Sequence, residues 1–232
     1  EFVLEHELTR QAVAAEVHGR GVGAVDQLDE VVELAELGEL DGLAERRETA
    51  DDDFWSWRDR MYAVALRVTP EQLRAIATQL YGEMLQGGYT QVCEFHYLHH
   101  ASDGSPYADP AEMSLALVQA AQDAGIGITL LPVLYQRAGF ADARLRDDQR
   151  RFAGTVEWVR ALSSRVNAMG SPVASAGLAV HSLRAAPAEA VQELALQARH
   201  LGGPVHIHIA EQTAEVDDCI AATDWVWRNA DA

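Results

Sequence analysis

Lysine is absent from this sequence, and all 18 of its basic side chains are arginines. They are outnumbered by 36 aspartates and glutamates, which gives a formal net charge of −18. Binding to nucleic acid depends on cations clustered along the phosphate backbone, and the arginines form no such stripe. The composition therefore predicts a protein that does not bind nucleic acid.

Cysteines and long apolar runs are scarce as well. Cys93 and Cys219 are far apart and form no CxxC pair, so we expect neither a disulfide framework nor a cysteine-built zinc site, and we expect both thiols in the core. The longest apolar run, at 125–135, is too short to span a bilayer. The N-terminal EFVLEHELTR lacks the basic and apolar regions of a signal peptide. We therefore expect a soluble, cytoplasmic protein with no membrane partner.

Acidic residues are concentrated at the beginning of the chain. Residues 1–53 carry a net charge of −12, and the composition changes character near DDDFW. We expect residues 1–41 to be an atypical acidic segment: an amphipathic helix, a disordered stretch, or the product of a shifted reading frame joined near Gly42. Residues 42–232 are then expected to form the folded domain.

From Phe54 onward the sequence alternates between helical and extended patterns. A Thr cap, a proline in the first turn and a closing Gly-Gly predict a helix over 69–89. Runs of β-branched, aromatic and aliphatic residues predict strands at 90–98, 126–135, 176–183 and 204–211. Apolar spacing predicts further helices at 53–62, 110–125, 147–170, 186–202 and 215–230.

Strands separated by single helices imply parallel βαβ units, in either a doubly wound sheet or a (β/α)8 barrel. The segment GRGVGAVD at 19–26 does not follow a strand, so no dinucleotide fingerprint supports the first option. Each predicted strand also ends in polar side chains, and in a barrel these ends converge on one active-site mouth. We therefore predict an α/β fold that is a partial (β/α)8 TIM-like barrel.

The segment PVHIHIAEQ offers a candidate metal site. His206 and His208 are two residues apart on a strand, so both rings point to the same face. Glu211 follows where the strand gives way to a loop, and a carboxylate there can move a proton to or from a metal-bound water. The alternatives are two core histidines and a glutamate that caps the following helix.

Two other segments carry candidate ligand-binding residues. In AVHSLRAAP, His181 and Arg184 stand at a strand end, and arginine can grip a carboxylate at two points; a surface salt bridge is the alternative. In EFHYLHH, strand alternation keeps the histidines from converging on one metal, so we expect Tyr97 and its neighbours to surround a pocket. In DFWSWRDRMY, the aromatic side chains are expected to pack on the core, and Arg58 can reach a ligand.

Taken in order, five segments resemble formimidoylglutamate deiminases, the imine-hydrolysing branch of the amidohydrolase superfamily. They are DDFWSWRDRMY, VCEFHYLHH, GITLLPVLYQRAGF, AVHSLRA and PVHIHIAEQTAEVDDC. The resemblance covers roughly residues 42–232, about strands two to five of the barrel. It implies one divalent ion of the zinc type, and hydrolysis of a linear amidine, N-formimino-L-glutamate, to N-formyl-L-glutamate and ammonia in histidine degradation.

The resemblance also implies roles for individual residues. His208 corresponds to a metal ligand, Glu211 to the catalytic proton-transferring carboxylate, and Arg58, Tyr97, His181 and Arg184 to the substrate-binding set. His206 corresponds to a position that is not a ligand. The family's H-x-H ligand pair falls at Val32 and Leu34, which cannot bind metal, and its remaining ligands fall beyond Ala232. We therefore expect an incomplete metal site and no turnover by this chain alone.

Other functional hypotheses remain open. One is a non-catalytic protein that binds a small dicarboxylate, and another is a sibling aminohydrolase acting on purine or triazine rings. Arg58 and Arg184 count against the second, because neutral rings offer no carboxylates. A truncated, unstable product is the third, since half a barrel leaves open sheet edges. Such edges are also compatible with pairing of two chains in a homodimer.

Overall fold

The computed structural model describes residues 54–140 and 144–222. The predicted acidic segment 1–41, with Val32 and Leu34, lies outside the described residues. So does the end of the helix predicted at 215–230. Within the described ranges, no helix has the length and apolar character that crossing a membrane requires.

The described residues alternate between helices and strands. The helices are α1 (Phe54–Ala65), α2 (Pro70–Gln86), α3 (Glu112–Ala124), α4 (Val156–Ala168), α5 (Ala188–Leu201) and α6 (Thr213–Ala222). The strands are β1 (Gln91–His96), β2 (Gly127–Leu134), β3 (Ala174–Ala176), β4 (Leu178–Ser182) and β5 (Val205–His208). A 3-10 helix spans Asp147–Phe152.

The strands form a parallel sheet in the order β1-β2-β4-β5, and β3 pairs with β2. Helices connect the successive strands, as parallel pairing requires. This arrangement confirms the predicted α/β fold, a partial barrel of the TIM type. The C-terminal ends of β1, β2, β4 and β5 therefore lie at the same edge of the sheet.

Local sequence signals explain α2 well. The side chain of Thr69 accepts a hydrogen bond from the backbone N–H of Gln72, and the side chain of Gln72 accepts one from the backbone N–H of Thr69. This reciprocal pair is a capping box, and Pro70 fills the first helical position, where no N–H is needed. The predicted helix over 69–89 is confirmed, with its buried face against α3.

One predicted strand is divided by a glycine. The strand expected at 176–183 is observed as β3 and β4, interrupted at Gly177. A Cβ atom at Gly177 would lie 2.3 Å from the carbonyl oxygen of Pro204, far inside van der Waals contact. The N–H of Gly177 donates to Leu130 and the N–H of Leu178 donates to Pro204, so hydrogen bonding switches sides here.

The helix predicted over 147–170 is wrong in one respect. A 3-10 helix ends at Phe152, Ala153 and Gly154 are extended or irregular, and α4 begins only after Thr155. Thr155 caps the new helix by accepting a hydrogen bond from the N–H of Trp158. The break buries Gln149, Arg151 and Phe152 instead of leaving them on one continuous helix face.

The core lies on both sides of β2. Ile128, Leu130, Leu131, Val133 and Leu134 are all at most 1% exposed. Burying an aliphatic side chain of this size contributes about 1.5–3 kcal/mol, so β2 is the main hydrophobic anchor of the sheet.

The expectation that both cysteines are core thiols is half right. Cys219 is buried, whereas Cys93 is exposed on β1. The reason is that alternate residues of β1 face opposite sides of the sheet: Val92, next to Cys93, is the buried one.

Candidate active site

The candidate site lies where the parallel strands end. Tyr97 follows β1, Tyr135 follows β2, His181 is near the end of β4 and His208 ends β5. In α/β barrels the C-terminal ends of the strands carry the active site. The structure therefore brings together side chains that are more than 100 residues apart in sequence.

His181 is at the centre of an aromatic cluster. Its ring centroid lies 4.6 Å from that of Tyr135, 5.4 Å from Tyr97, 5.5 Å from His208 and 6.2 Å from Phe95. Phe95 also packs against His208 at 4.3 Å. These contacts link three of the predicted site residues, Tyr97, His181 and His208, in one continuous group.

The imidazole of His181 is held in its neutral form. Burial lowers the pKa of His181 well below its usual value, and the nearby Arg184, His208 and Arg58 lower it further. Its Nδ1 lies 3.2 Å from the hydroxyl oxygen of Ser182. A neutral imidazole can present one donor and one acceptor, so the ring can orient a polar ligand without adding charge.

Arg184 lies beside two carboxylates at the end of β4. Its Nη2 is 3.7 Å from Oε2 of Glu211, and its Nη1 is 3.8 Å from Oε2 of Glu215. The Arg184 side chain is 8% exposed, so it forms ion pairs as the alternative expected, but they are buried and not at the surface. Oε2 of Glu215 also accepts a hydrogen bond from the backbone N–H of Glu211 at 3.3 Å, which ties the turn after β5 to α6.

The turn that carries Glu211 has an unusual backbone. Ala210 adopts a φ of 59°, the left-handed region that residues with a side chain rarely occupy. Such conformations cluster at functional sites, where the surrounding structure enforces them. A small cavity of about 20 Å³ lies next to this turn and is lined by His208, Ala210 and Glu215, among others.

Arg58 approaches the site from α1. Its guanidinium lies over the ring of Tyr62, 5.4 Å from the centroid, and its Nη2 is 3.3 Å from Oδ1 of Asp59. The side chain is 12% exposed. Arg58 is one of the neighbouring cations that lower the pKa of His181, after burial, Arg184 and His208.

Sequence reasoning missed the support around Tyr135. The hydroxyl group of Tyr135 lies 3.2 Å from that of Tyr62 and accepts a hydrogen bond from Nε2 of Gln149 at 2.9 Å. Burial raises the pKa of Tyr135, and the neighbouring Tyr62 raises it further. The Gly-Thr pair after Phe152 was the available signal, because it marks the helix start that separates Gln149 from α4.

The expectation that the residues of EFHYLHH surround a pocket is wrong for His99 and His100. His99 and His100 are buried, and their Nε2 atoms lie 3.0 Å and 2.8 Å from the carbonyl oxygens of Val133 and Ala153. Burial lowers the pKa of both rings, to about 4 for His99. These two histidines anchor loops to the core, and Tyr97 alone of the segment's later residues joins the aromatic cluster.

The described residues do not fit a complete metal centre. Nδ1 of His208 is buried and has no hydrogen-bond partner in the described structure. A nitrogen that binds a metal ion would likewise lack a hydrogen-bond partner in the protein. His206 is half-buried and pairs with Ala179 across the sheet. Within 54–140 and 144–222, however, no three ligating side chains gather closely enough to hold an ion. Catalytic zinc sites need three protein ligands, and His208 with Glu211 does not supply them.

Parallel strands with a site at their C-terminal ends are the plan of barrel hydrolases, and the chain belongs to the amidohydrolase family. The family model matches residues 42–226. The chain is 49% identical over 194 residues to the formimidoylglutamate deiminase of Pseudomonas aeruginosa, covering 81% of this chain and 43% of that protein. The predicted resemblance to these deiminases is confirmed.

Solved structures agree with this assignment. An amidohydrolase from Brucella melitensis aligns with a TM-score of 0.72 and 47% identity, covering 79% of this chain and 41% of that one. Atrazine chlorohydrolase from Arthrobacter aurescens, in complex with zinc, aligns with a TM-score of 0.64 and 18% identity, covering 81% and 42%. The second likeness shows the fold alone. The chain spans less than half the length of these relatives.

Proposed function

We propose that the protein is a formimidoylglutamate deiminase, which hydrolyses N-formimino-L-glutamate to N-formyl-L-glutamate and ammonia in histidine degradation. The observation that carries this proposal is the 49% identity to the Pseudomonas aeruginosa deiminase over 194 residues. The geometry supports the same substrate class, because Arg184 and the neutral imidazole of His181 lie at the end of β4 and Arg58 on α1 is among the cations that lower the pKa of His181. The substrate is a small molecule that carries two carboxylates and one formimino group.

Arg58 and Arg184 are the proposed carboxylate-binding residues. Guanidinium groups bind carboxylates through paired, charge-assisted hydrogen bonds. Arg184 pairs with Glu211 and Glu215, and its guanidinium carries five N–H donors, so we propose that it binds a substrate carboxylate in addition to these partners. Tyr97 and His181, whose ring centroids are 5.4 Å apart, are the proposed orienting groups for the formimino end.

Glu211 is the proposed proton carrier. It takes one proton from the water whose oxygen adds to the formimino carbon and passes this proton to the imino nitrogen. It then carries the remaining hydroxyl proton to the same nitrogen as the C–N bond breaks. Both water protons leave with ammonia, and the water oxygen remains as the formyl carbonyl. Proton transfer of this kind by a positioned carboxylate typically contributes 10²–10⁴-fold in rate.

One divalent ion of the zinc type is the proposed cofactor, and His208 is its proposed ligand from the described residues. A metal activates water at neutral pH by lowering its pKa. The described residues supply only one proposed metal ligand, the imidazole of His208. We therefore further propose that this chain alone does not turn over the substrate.

Calorimetry with N-formyl-L-glutamate, the product, tests the proposed substrate class. We expect the unsubstituted chain to bind this product at one site and not to bind adenosine. Arg184→Met should bind the product roughly 10- to 100-fold more weakly, because it loses a charged hydrogen-bonded pair. Arg165→Met is the matched control, because Arg165 pairs with Asp109 on the surface of α4. Equal binding by wild type and Arg184→Met, or preference for adenosine, would contradict the proposal and favour a sibling aminohydrolase.

A further inference from the structure

Arg151 is a fully buried arginine that the proposed reaction does not use. Its side chain is 0% exposed, and its guanidinium donates hydrogen bonds to three backbone carbonyls. Nε donates to His100 at 2.7 Å, and Nη1 donates to Ala65 and, at 2.9 Å, to Val68. One side chain thus connects two separate stretches of backbone.

The first stretch is the C-terminal end of α1. The last carbonyls of a helix have no partner within the helix, and Ala65 is the last residue of α1. Arg151 satisfies this carbonyl and that of Val68, which follows in the connection to α2. It therefore fixes the end of the helix that carries Arg58.

The second stretch is the loop after β1. The carbonyl oxygen of Arg151 accepts hydrogen bonds from the N–H groups of His99, at 2.9 Å, and His100, at 3.1 Å. Together with the bond from Nε to the carbonyl of His100, these hold the loop from both sides. Tyr97 lies two residues before His99 in the same loop.

The neighbours of Arg151 extend this contact into the aromatic cluster. The ring of Phe152 packs edge-on against Tyr97 at 4.9 Å and Tyr62 at 5.1 Å. Gln149, two residues before Arg151, donates to the hydroxyl of Tyr135. The 3-10 helix therefore contacts α1, the loop after β1 and the end of β2.

We propose that Arg151 is a positioning residue for substrate recognition, which holds Arg58 on α1 and Tyr97 after β1 in a fixed relative geometry. The inference rests on the proposed function of Arg58 and Tyr97. Lysine cannot replace Arg151, because its donors all come from one nitrogen, whereas the planar guanidinium reaches His100 on one side and Ala65 on the other.

Arg151→Lys and Arg150→Lys form a matched pair for the test. Arg150 is the adjacent residue, and it donates to the carbonyls of Ser102 and Asp147, away from α1. With N-formyl-L-glutamate as ligand, we expect calorimetry to show at least tenfold weaker binding by Arg151→Lys. Arg150→Lys should bind within twofold of wild type. Equal effects of the two substitutions would overturn the proposal.

Hydrogen exchange without ligand tests the positioning role independently of binding. In Arg151→Lys, amides of α1 and of His99 and His100 should exchange at least tenfold faster, while amides of α5 stay unchanged. Unchanged exchange in α1, equal acceleration in α5, or loss of the whole fold would each contradict a local positioning role. If the unsubstituted chain binds no N-formyl-L-glutamate, the proposed function fails, and the exchange pattern still decides the role of Arg151.

Discussion

β2 and β5 both end in polar residues of the candidate site, but their surroundings differ. β2 pairs with β1, β3 and β4, and its last five residues are buried. β5 pairs with β4 within the described part of the chain, and its four residues are half-buried or exposed. The side chains at the end of β2 are held between neighbouring strands. Within the described residues, those at the end of β5 have a neighbouring strand on one side.

The same contrast holds for the side chains at the two strand ends. The hydroxyl of Tyr135, after β2, has two hydrogen-bond partners, Tyr62 and Gln149. Nδ1 of His208, at the end of β5, is buried and has none among the described residues. Among the described residues, the side chain after β2 is therefore held by hydrogen bonds, whereas the proposed metal-binding nitrogen at the end of β5 is not.

The largest effect should come from removing matched isoleucines from the two strands. Ile128→Ala in β2 should lower the free energy of unfolding by about 4 kcal/mol, because the side chain is fully buried and leaves a cavity. Ile207→Ala in β5 should cost about 1–2 kcal/mol, because Ile207 is half-buried. Urea unfolding measures both. Equal losses would remove the distinction between the two strands.

Acid should weaken the attachment of the loop after β1 to β2. His99, whose Nε2 contacts the Val133 carbonyl, has a pKa lowered to about 4 by burial, so the unfolded chain binds the proton first as pH falls below about 6.5. Its contribution is complete above pH 6.5 and is lost as pH falls to about 4. Between pH 7 and pH 4.5 the free energy of unfolding should therefore fall by roughly 2–3 kcal/mol because of His99.

His99→Gln is the matched variant for this pH dependence. Glutamine keeps an N–H donor for Val133 but does not titrate in this range. Urea unfolding at pH 7 and pH 4.5 should therefore show a smaller acid-induced loss in the variant than in the wild type. An identical loss in both proteins would assign the acid sensitivity to other groups.

A smaller effect separates the two strand ends. Tyr135→Phe should lower the free energy of unfolding by about 1–2 kcal/mol, because Gln149 loses its buried acceptor. His208→Gln should lower it by about 0.5–1 kcal/mol, since the substitution removes the ring contact with Phe95 but breaks no hydrogen bond of the buried Nδ1. Thermal or urea unfolding of both variants checks the order, and a reversed order would contradict the description of the two ends.

Most of the fold could be predicted because its signals are local. The capping of α2 and the apolar runs of β1 and β2 are properties of neighbouring residues, and the parallel topology follows from their alternation. The break at Gly177 could not be predicted, since it depends on Pro204 from a different connection. The break before α4 was signalled by Gly154 and Thr155, but helical spacing continues across it and conceals it.

The candidate site was predictable as a set of residues and not as an arrangement. Strand-end positions identified Tyr97, His181 and His208, and the structure brings their rings together. Gln149, which supports Tyr135, and Arg151, which holds the loop after β1, were not identified from the sequence, because their burial depends on how the 3-10 helix packs. The catalytic, substrate-binding and metal-binding roles remain predictions.

Ammonia release is the most direct test of the claim that the described residues provide a substrate site with a single metal ligand. The full chain is incubated with zinc and N-formimino-L-glutamate, and ammonia is measured against a sample without protein. We expect no release above that background. Release that requires zinc and is abolished by Glu211→Gln would show a working metal centre in this chain and contradict the account.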